Sequence, residues 1–141
     1  MERRLFIKRC SVMCAGGLAL NFLMESCGSI HYAQNSLSEN KIKVLKSEFL
    51  DSKNKPREFI VLKNEKLNFP ICLYFFKKEY VALYMECTHQ GCELQPNKTS
   101  LVCPCHGSEF SKHGKVLNPP ADKDLKQFKV ITDNENIFVE I

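Results

Sequence analysis

Two short segments in the second half of the chain place cysteine and histidine close together. Residues 87–92 read Cys-Thr-His-Gln-Gly-Cys, and residues 103–108 read Cys-Pro-Cys-His-Gly-Ser. Each segment offers a thiolate and an imidazole at close spacing, a combination that suits either zinc or an iron–sulfur cluster. Residues 86–121 around them are rich in glycine and proline, so burial of a core cannot hold this segment in shape by itself. The sequence therefore predicts a loop-rich segment that is ordered by metal ligation and other cross-links.

The remaining cysteines help to choose between the two kinds of site. The chain has eight cysteines, and Cys92 and Cys105 are left over beside the two Cys/His pairs. Zinc ligand pairs usually lie in tight turns without spare cysteines next to them, so an iron–sulfur cluster is favoured and a zinc-binding structural module is the alternative. Cys72 lies inside an apolar run and is expected to be a buried strand residue. His113 is expected to lie in an exposed turn and not to act as a third imidazole ligand.

The length and the charge of the chain limit the classes of function. A chain of 141 residues is enough for one domain with a modest core. The formal net charge is +4, and the lysines of the folded part are scattered and do not form a continuous run. Because a nucleic-acid-binding protein needs a continuous basic stripe, no nucleic-acid partner is predicted.

The apolar pattern from residue 41 onward has the period of two that is typical of strands. One predicted hairpin joins residues 70–76 to residues 80–85, and a second joins residues 127–132 to residues 137–141. Further strands are predicted at residues 41–44 and 58–62, and no window after residue 41 has a helical stripe. These features predict an all-β antiparallel sandwich or barrel, with the loop-rich segment inserted between the two hairpins.

The two Cys/His segments resemble the two ligand boxes of Rieske iron–sulfur proteins. The resemblance covers six consecutive positions in each box, and it implies the Rieske-type β-sandwich for residues 41–141, with a cluster-binding subdomain at about residues 86–121. It also implies that Cys87 and Cys103 bind one iron of a [2Fe-2S] cluster while His89 and His106 bind the other. Cys92 and Cys105 would form a disulfide that clamps the two loops.

Three further positions bear on the reduction potential that the resemblance implies. In the family a serine two residues beyond the second histidine bonds a cluster sulfide, and the matching residue is Ser108. A tyrosine commonly follows two positions later, but this chain has Phe110, so one donor to a ligand sulfur is missing and the potential should sit below that of quinol-oxidising members. Gln90 replaces a residue that is usually apolar in those members. Residues 118–121, Asn-Pro-Pro-Ala, partly resemble the proline-rich loop of the family.

The N-terminal segment has the layout of a targeting sequence. Residues 1–26 have a basic head followed by an uncharged stretch that is shorter than a membrane-spanning helix needs, so an export signal or N-terminal anchor is predicted. Its Arg-Arg-Leu-Phe-Ile-Lys run resembles a twin-arginine motif. Cys27 lies in a sequence similar to a bacterial lipobox and is predicted to be lipidated. Residues 27–40, rich in serine and asparagine, are predicted to form a flexible tether in which His31 is solvated.

The resulting prediction is a one-electron carrier at the periplasmic face of a bacterial cell envelope, tethered to the membrane by lipid or by its N-terminal segment. Its partners would be redox proteins or a membrane redox complex. One alternative is the iron–sulfur subunit of a quinol:cytochrome c-type oxidoreductase, in which a ligand histidine would meet quinol. Another is the small subunit of an exported oxidase. None of these functions requires a bond-making catalytic residue in the chain itself.

Overall fold

The computed structural model describes residues 29–141, which form eleven β-strands and one short 3-10 helix. All paired strands in this part of the chain run antiparallel. The 3-10 helix spans Lys46–Phe49. The strands are β1 Asn35–Ser38, β2 Lys41–Leu45, β3 Phe59–Leu62, β4 Ile71–Phe76, β5 Glu79–Tyr84, β6 Gln95–Pro96, β7 Ser100–Val102, β8 Glu109–Ser111, β9 Val116–Asn118, β10 Gln127–Thr132 and β11 Asn136–Glu140.

The strands form two sheets, which confirms the predicted all-β fold. The larger sheet has the order β1-β2-β11-β10-β5-β4-β3, and the smaller one has the order β6-β7-β8-β9. The two predicted hairpins are β4–β5 and β10–β11. Lys77 and Lys78 at the β4–β5 turn both have positive φ, as a tight hairpin turn requires. The smaller sheet lies between β5 and β10 in the chain, at the position predicted for the inserted segment.

The segment before β2 closes the larger sheet. Tyr32 forms a parallel bridge with Val61 of β3, and Val61 exchanges backbone hydrogen bonds of 2.9 Å with His31 and Ala33. A few residues later the same segment pairs with β2 as strand β1. Because β3 lies at the far edge of the sheet, residues 31–38 connect its two edges. The sheet is therefore a closed barrel.

This closure corrects the prediction of a flexible tether at residues 27–40 for the part that the structure describes, because residues 31–38 belong to the barrel. Ala33 is buried, and Nε2 of His31 lies 2.6 Å from Oε2 of Glu48 on the 3-10 helix. The prediction that His31 is simply solvated is therefore also wrong. The sequence pattern indicates this strand only weakly, because Asn35–Ser38 is mostly polar and only every second residue is half-buried. The folded unit begins before residue 41.

Two buried cores share the strands β3, β4 and β5. Along β4, Ile71 and Leu73 face the barrel interior, where they pack with residues such as Ile137. Cys72 and Tyr74 point to the other face, toward residues of the inserted segment. This double burial explains why β4 reads as a continuous apolar run with little alternation. Cys72 is fully buried, as the sequence predicts, and burial raises the pKa of its thiol far above the ordinary value.

The N-terminal predictions fall on residues that the structure does not describe. The export signal at residues 1–26, with its twin-arginine motif, and the lipidation of Cys27 lie outside residues 29–141. Within the described range, no helix has the length and hydropathy that a membrane crossing would need.

Candidate metal centre

The two Cys/His boxes fold into loops with the same backbone hydrogen bonds. In the first loop, the N–H of Cys87 donates to the carbonyl of Cys92, and the N–H of Gly91 donates back to Cys87, each over 2.8 Å. In the second loop, Cys103 donates to Ser108 over 2.8 Å, and the N–H at position 107 donates back to Cys103 over 3.0 Å. Each loop is thus a six-residue turn that begins at a cysteine.

Glycine is needed at the same place in both turns. Gly91 has φ of 70° and Gly107 has φ of 78°, which lie in the left-handed region that residues with a Cβ adopt at a cost. This reversal lets the backbone return toward the starting cysteine. The histidine of each loop lies between the cysteine and the glycine, and the two loops bring their imidazole rings close together.

The four predicted ligands differ in burial, with the two cysteines buried and the two histidines nearer the surface. Cys87 and Cys103 are each only 2% exposed and belong to the same buried cluster, whereas His89 is half-buried and His106 is exposed. The two imidazole rings have centroids 4.9 Å apart and are nearly perpendicular. Two thiolates and two imidazoles form the mixed donor set that a cluster with two kinds of iron ligation requires.

Two features of these side chains bear on metal binding, namely a free nitrogen at His89 and backbone N–H groups at the Cys87 sulfur. Nδ1 of His89 is buried and has no hydrogen-bond partner among the described residues, so it is a nitrogen left free to bind a metal. Burial raises the pKa of the Cys87 thiol, and the neighbouring Cys103 adds to this shift. The backbone N–H groups of His89 and Gln90 act in the opposite direction, and they would also stabilise a sulfur that carries negative charge.

A disulfide joins the two loops, as the resemblance implied. Cys92 and Cys105 are bonded, with Cα atoms 6.6 Å apart. Their sulfurs lie within 4.8 Å of the Cys103 sulfur, but two sulfurs that are bonded to each other do not form a three-cysteine metal site. The disulfide therefore clamps the loops beside the ligands, and Cys87 and Cys103 remain as the free thiols of the two boxes.

The second loop is also fixed to the proline-containing segment that follows β9. The Ser108 hydroxyl accepts a hydrogen bond from the N–H of Ala121 over 2.9 Å. The Asn118 side-chain amide donates to the carbonyl of Gly107 over 3.2 Å. Residues 118–121 therefore lie against the second loop. Phe110, in β8, is fully buried in the same cluster as Cys103.

Sequence reasoning did not identify Tyr74 and Thr88 as residues that support the site. The Tyr74 hydroxyl lies 2.9 Å from the carbonyl oxygens of both Asn97 and Ser100 and so fixes the inserted segment to β4. The Thr88 hydroxyl donates to the carbonyl of Lys123 over 2.6 Å and anchors the first loop. Both contacts join residues at least 23 positions apart, and no local pattern in the sequence indicates them. His113 is exposed in the β8–β9 turn, as predicted, with its ring 5.9 Å from that of Phe76.

The sequence profile of the Rieske [2Fe-2S] domain matches residues 39–129. Among curated relatives, the chain is 30% identical over 154 aligned residues to the cytochrome b6-f complex iron-sulfur subunit 1 of Nostoc sp. PCC 7120, covering 99% of this chain and 84% of the relative. It is 42% identical over 55 residues to the cytochrome b6-f complex iron-sulfur subunit of Prochlorococcus marinus MIT 9303. That alignment covers 38% of this chain and 31% of the relative, so the match spans about a third of that protein.

Solved structures include similar folds. The cyanobacterial plasma membrane Rieske protein of Synechocystis PCC 6803 superimposes with a TM-score of 0.53 and 32% identity, covering 60% of this chain and 87% of that one. A chain from the complex of reduced oxygenase and oxidised ferredoxin in carbazole 1,9a-dioxygenase superimposes with a TM-score of 0.56 at 19% identity, covering 73% of this chain and 94% of that one. The second similarity concerns the fold alone.

Proposed function

This chain belongs to the family of Rieske [2Fe-2S] domains, and on that premise we propose that it is a one-electron carrier tethered at the periplasmic face of a bacterial envelope. The group that it binds is a [2Fe-2S] cluster, which takes up and releases one electron at a time. Cys87 and Cys103 would bind one iron, and His89 and His106 would bind the other. Bond-making chemistry on a substrate is not part of this proposal.

The observation that carries the proposal is the orientation of these four side chains. The cysteines are buried and the imidazoles are at the surface, with His106 exposed. An electron can therefore pass between the site and a partner through the imidazole edge, while the thiolates stay shielded from water and oxidants. The clamp between Cys92 and Cys105 keeps both loops in one geometry, which limits rearrangement when the charge of the site changes.

Metal analysis of the purified protein tests the ligand assignment. We expect two irons and two acid-labile sulfides per chain, and we expect Cys87→Ser and His106→Ala to lose both. His113→Ala is the matched control, because His113 is an exposed histidine of the same segment outside the two loops. One zinc per chain without visible absorption, or equal loss of iron in the control, would contradict the assignment.

The second candidate is a subunit of a quinol-oxidising membrane complex. The similarity to the cytochrome b6-f subunit of Nostoc over nearly the whole chain favours it. Phe110 and the exposed Gln90 favour the one-electron carrier, because they replace residues that quinol-oxidising members commonly have. Solubilising native membranes in mild detergent separates the two. Comigration of the [2Fe-2S] electron paramagnetic resonance signal with b-type haem would support the complex, and migration alone would support the carrier.

The position in the envelope is a further part of the proposal. Its support is the sequence of residues 1–27, in which a twin-arginine-like run precedes the lipobox-like Cys27. Labelling cells with radioactive palmitate should mark the wild-type protein and not Cys27→Ser. Replacing Arg3 and Arg4 by lysine should leave the folded protein in the cytoplasmic fraction. Lipid labelling that persists in Cys27→Ser would contradict lipidation at this residue.

A further inference from the structure

An open groove runs beside the first loop, on the side of His89. It has a volume of about 670 Å³. One wall is the first loop, residues 87–91, and the rest is formed by Tyr84, Glu86, Lys123 and Lys126. We call it the lysine groove. None of the functions considered above uses its lysines.

The backbone at both lysines is bonded to the groove wall, and the Lys126 side chain also contacts two aromatic rings. The ammonium nitrogen of Lys126 lies 4.6 Å from the ring centroid of Phe128 and 5.8 Å from that of Tyr84, so two aromatic faces hold it. The backbone carbonyl of Lys126 accepts a hydrogen bond from Tyr84 over 2.9 Å. The carbonyl of Lys123 accepts the hydroxyl of Thr88, which lies between the ligands Cys87 and His89. The backbone that carries each cation is therefore fixed to the wall of the groove.

Within the lining of the groove, positive charge exceeds negative charge, since Asp122, beside Lys123 in the chain, is exposed and does not line the groove. Neither lysine forms an ion pair with a carboxylate of residues 29–141. The nearby Asp124 is engaged elsewhere, because its carboxylate lies 2.6 Å from the ammonium group of Lys115 and accepts the N–H of Val116. Glu86 is the one carboxylate that lines the groove. Two cations against one carboxylate leave a site that attracts anions.

We propose that the lysine groove receives the acidic face of the redox partner, so that electrons cross at His89. This inference rests on the proposed function and adds the charge of the partner and the side of approach. An acidic surface seated against Lys123 and Lys126 would lie directly on the loop that carries Cys87 and His89. One electron then passes from the reduced site to the partner's acceptor, or in reverse, and no bond forms or breaks. Charge complementarity of this kind raises the rate of encounter more than it raises affinity.

Small redox reagents of opposite charge test the inference without a known partner. The reduced holoprotein is mixed with ferricyanide, an anion, or with tris(phenanthroline)cobalt(III), a cation, and its reoxidation is followed by stopped flow at low ionic strength. We expect Lys123→Glu/Lys126→Glu to slow the reaction with ferricyanide about tenfold and to speed that with the cobalt complex, because local charge changes association rates by roughly 10 to 1,000-fold. Glu86→Gln should speed the reaction with ferricyanide.

The control changes the net charge equally at a distance. Lys53→Glu/Lys66→Glu reverses two exposed lysines that do not line the groove. If both double variants slow ferricyanide by the same factor, overall charge alone explains the effect and the inference is wrong. Hexaglutamate should slow the ferricyanide reaction of the wild type and of the control, and it should not slow that of the groove variant. Equal inhibition of all three proteins would also overturn the docking site.

Voltammetry separates this outcome from a failure of the proposed function. Each protein should show one reversible one-electron wave, with the potential of the variants close to that of the wild type. A chain that holds iron and sulfide but has no such wave would contradict the electron-carrier proposal itself. A normal wave with no effect that is specific to the groove would contradict only the docking inference.

Discussion

The Ser108 hydroxyl oxygen accepts a hydrogen bond from the backbone N–H of Ala121 over 2.9 Å. Because the oxygen is the acceptor in this contact, the hydroxyl hydrogen remains available to donate to another atom. Ser108 is fully buried, and no residue of the described chain accepts that hydrogen. A cluster sulfide held by the two loops would be a suitable acceptor. The contact with Ala121 thereby orients the hydroxyl for that role.

Replacing Ser108 should lower the reduction potential. Ser108→Ala removes a donor that would stabilise the added electron, and a hydrogen bond to a charged group contributes about 1.5–3 kcal/mol. For a one-electron couple this corresponds to a decrease of about 65–130 mV. Voltammetry measures it. Ser100→Ala is the control, because Ser100 is also a buried serine but its hydroxyl bonds Glu109 over 2.6 Å. Equal potentials of Ser108→Ala and wild type would show that the hydroxyl does not reach the cluster.

Adding a hydroxyl at position 110 should raise the potential. Phe110 packs in the same buried cluster as Cys103, so Phe110→Tyr would place a new donor close to a ligand sulfur. A donor to a sulfur stabilises the reduced form, and the shift should again be about 65–130 mV. The visible spectrum serves as the control that the cluster is intact. A lower or unchanged potential in the intact variant would place the hydroxyl away from the ligands.

Removing the disulfide should weaken the cluster site more than the barrel. Cys92 and Cys105 are separated by 13 positions, and closing a loop of that size is worth about 3 kcal/mol in the chain-entropy treatment. Cys92→Ala/Cys105→Ala should therefore lower the free energy of unfolding by roughly this amount and release iron faster into a chelator. Chemical denaturation and ferrozine kinetics measure the two effects. Unchanged iron release would show that ligation alone orders the loops.

Gly114 should not tolerate a side chain. It has φ of 74°, and an added Cβ would lie 2.9 Å from Cδ2 of Leu83 and 3.3 Å from Cβ of Leu125. Gly114→Ala combines backbone strain with overpacking of a buried contact, so we expect a loss of about 2–4 kcal/mol in the free energy of unfolding. Lys78→Gly is the contrasting variant, because Lys78 has φ of 70° and glycine should stabilise its turn by about 0.5–1 kcal/mol. Urea denaturation of both variants should give opposite signs.

Acid should weaken the contact between Lys115 and Asp124. The ammonium group of Lys115, followed by the N–H of Val116, holds the pKa of Asp124 below its ordinary value of 3.8. When the pKa of a carboxyl group is lower in the folded state, the group stabilises the fold at pH values above its unfolded-state pKa. This contribution is lost as the pH falls through the folded-state pKa. Stability should therefore decline below about pH 4, and Asp124→Asn should flatten that decline. Thermal melts between pH 2.5 and 6 measure both curves. Parallel curves would exclude Asp124 as a contributor.

Local patterns in the sequence predicted the fold where apolar residues carry it. The hairpins of β4–β5 and β10–β11 follow from period-two alternation and turn residues, and the two boxes gave the pairing of Cys92 with Cys105 through the family resemblance. The closure of the barrel at Tyr32 and Ala33 escaped prediction, because backbone hydrogen bonds form it and the residues that follow, 34–36, are polar.

The lysine groove could not be predicted for a different reason. Lys123 and Lys126 lie more than thirty positions after the first box, and their local sequence looks like an ordinary solvated surface. They reach the loop only because Thr88 bonds the backbone at Lys123 and because Tyr84 and Phe128 hold the Lys126 side chain. A site of this kind is formed by tertiary packing, and local patterns in the sequence do not indicate it.

Strand β4, which has one face in each core, ties the two parts of the molecule into one cooperative unit. If the inserted segment were to detach, Cys72 and Tyr74 would meet water on a strand whose other face is still packed by Leu73. Such partial opening exposes apolar surface of the barrel and is therefore unfavourable. We expect the slow amides to exchange through global unfolding instead. The amides of β4 and of β7 should then exchange at a common rate set by a single opening event. The loops of the redox site, which pack against this strand, should therefore stay ordered for as long as the barrel remains folded.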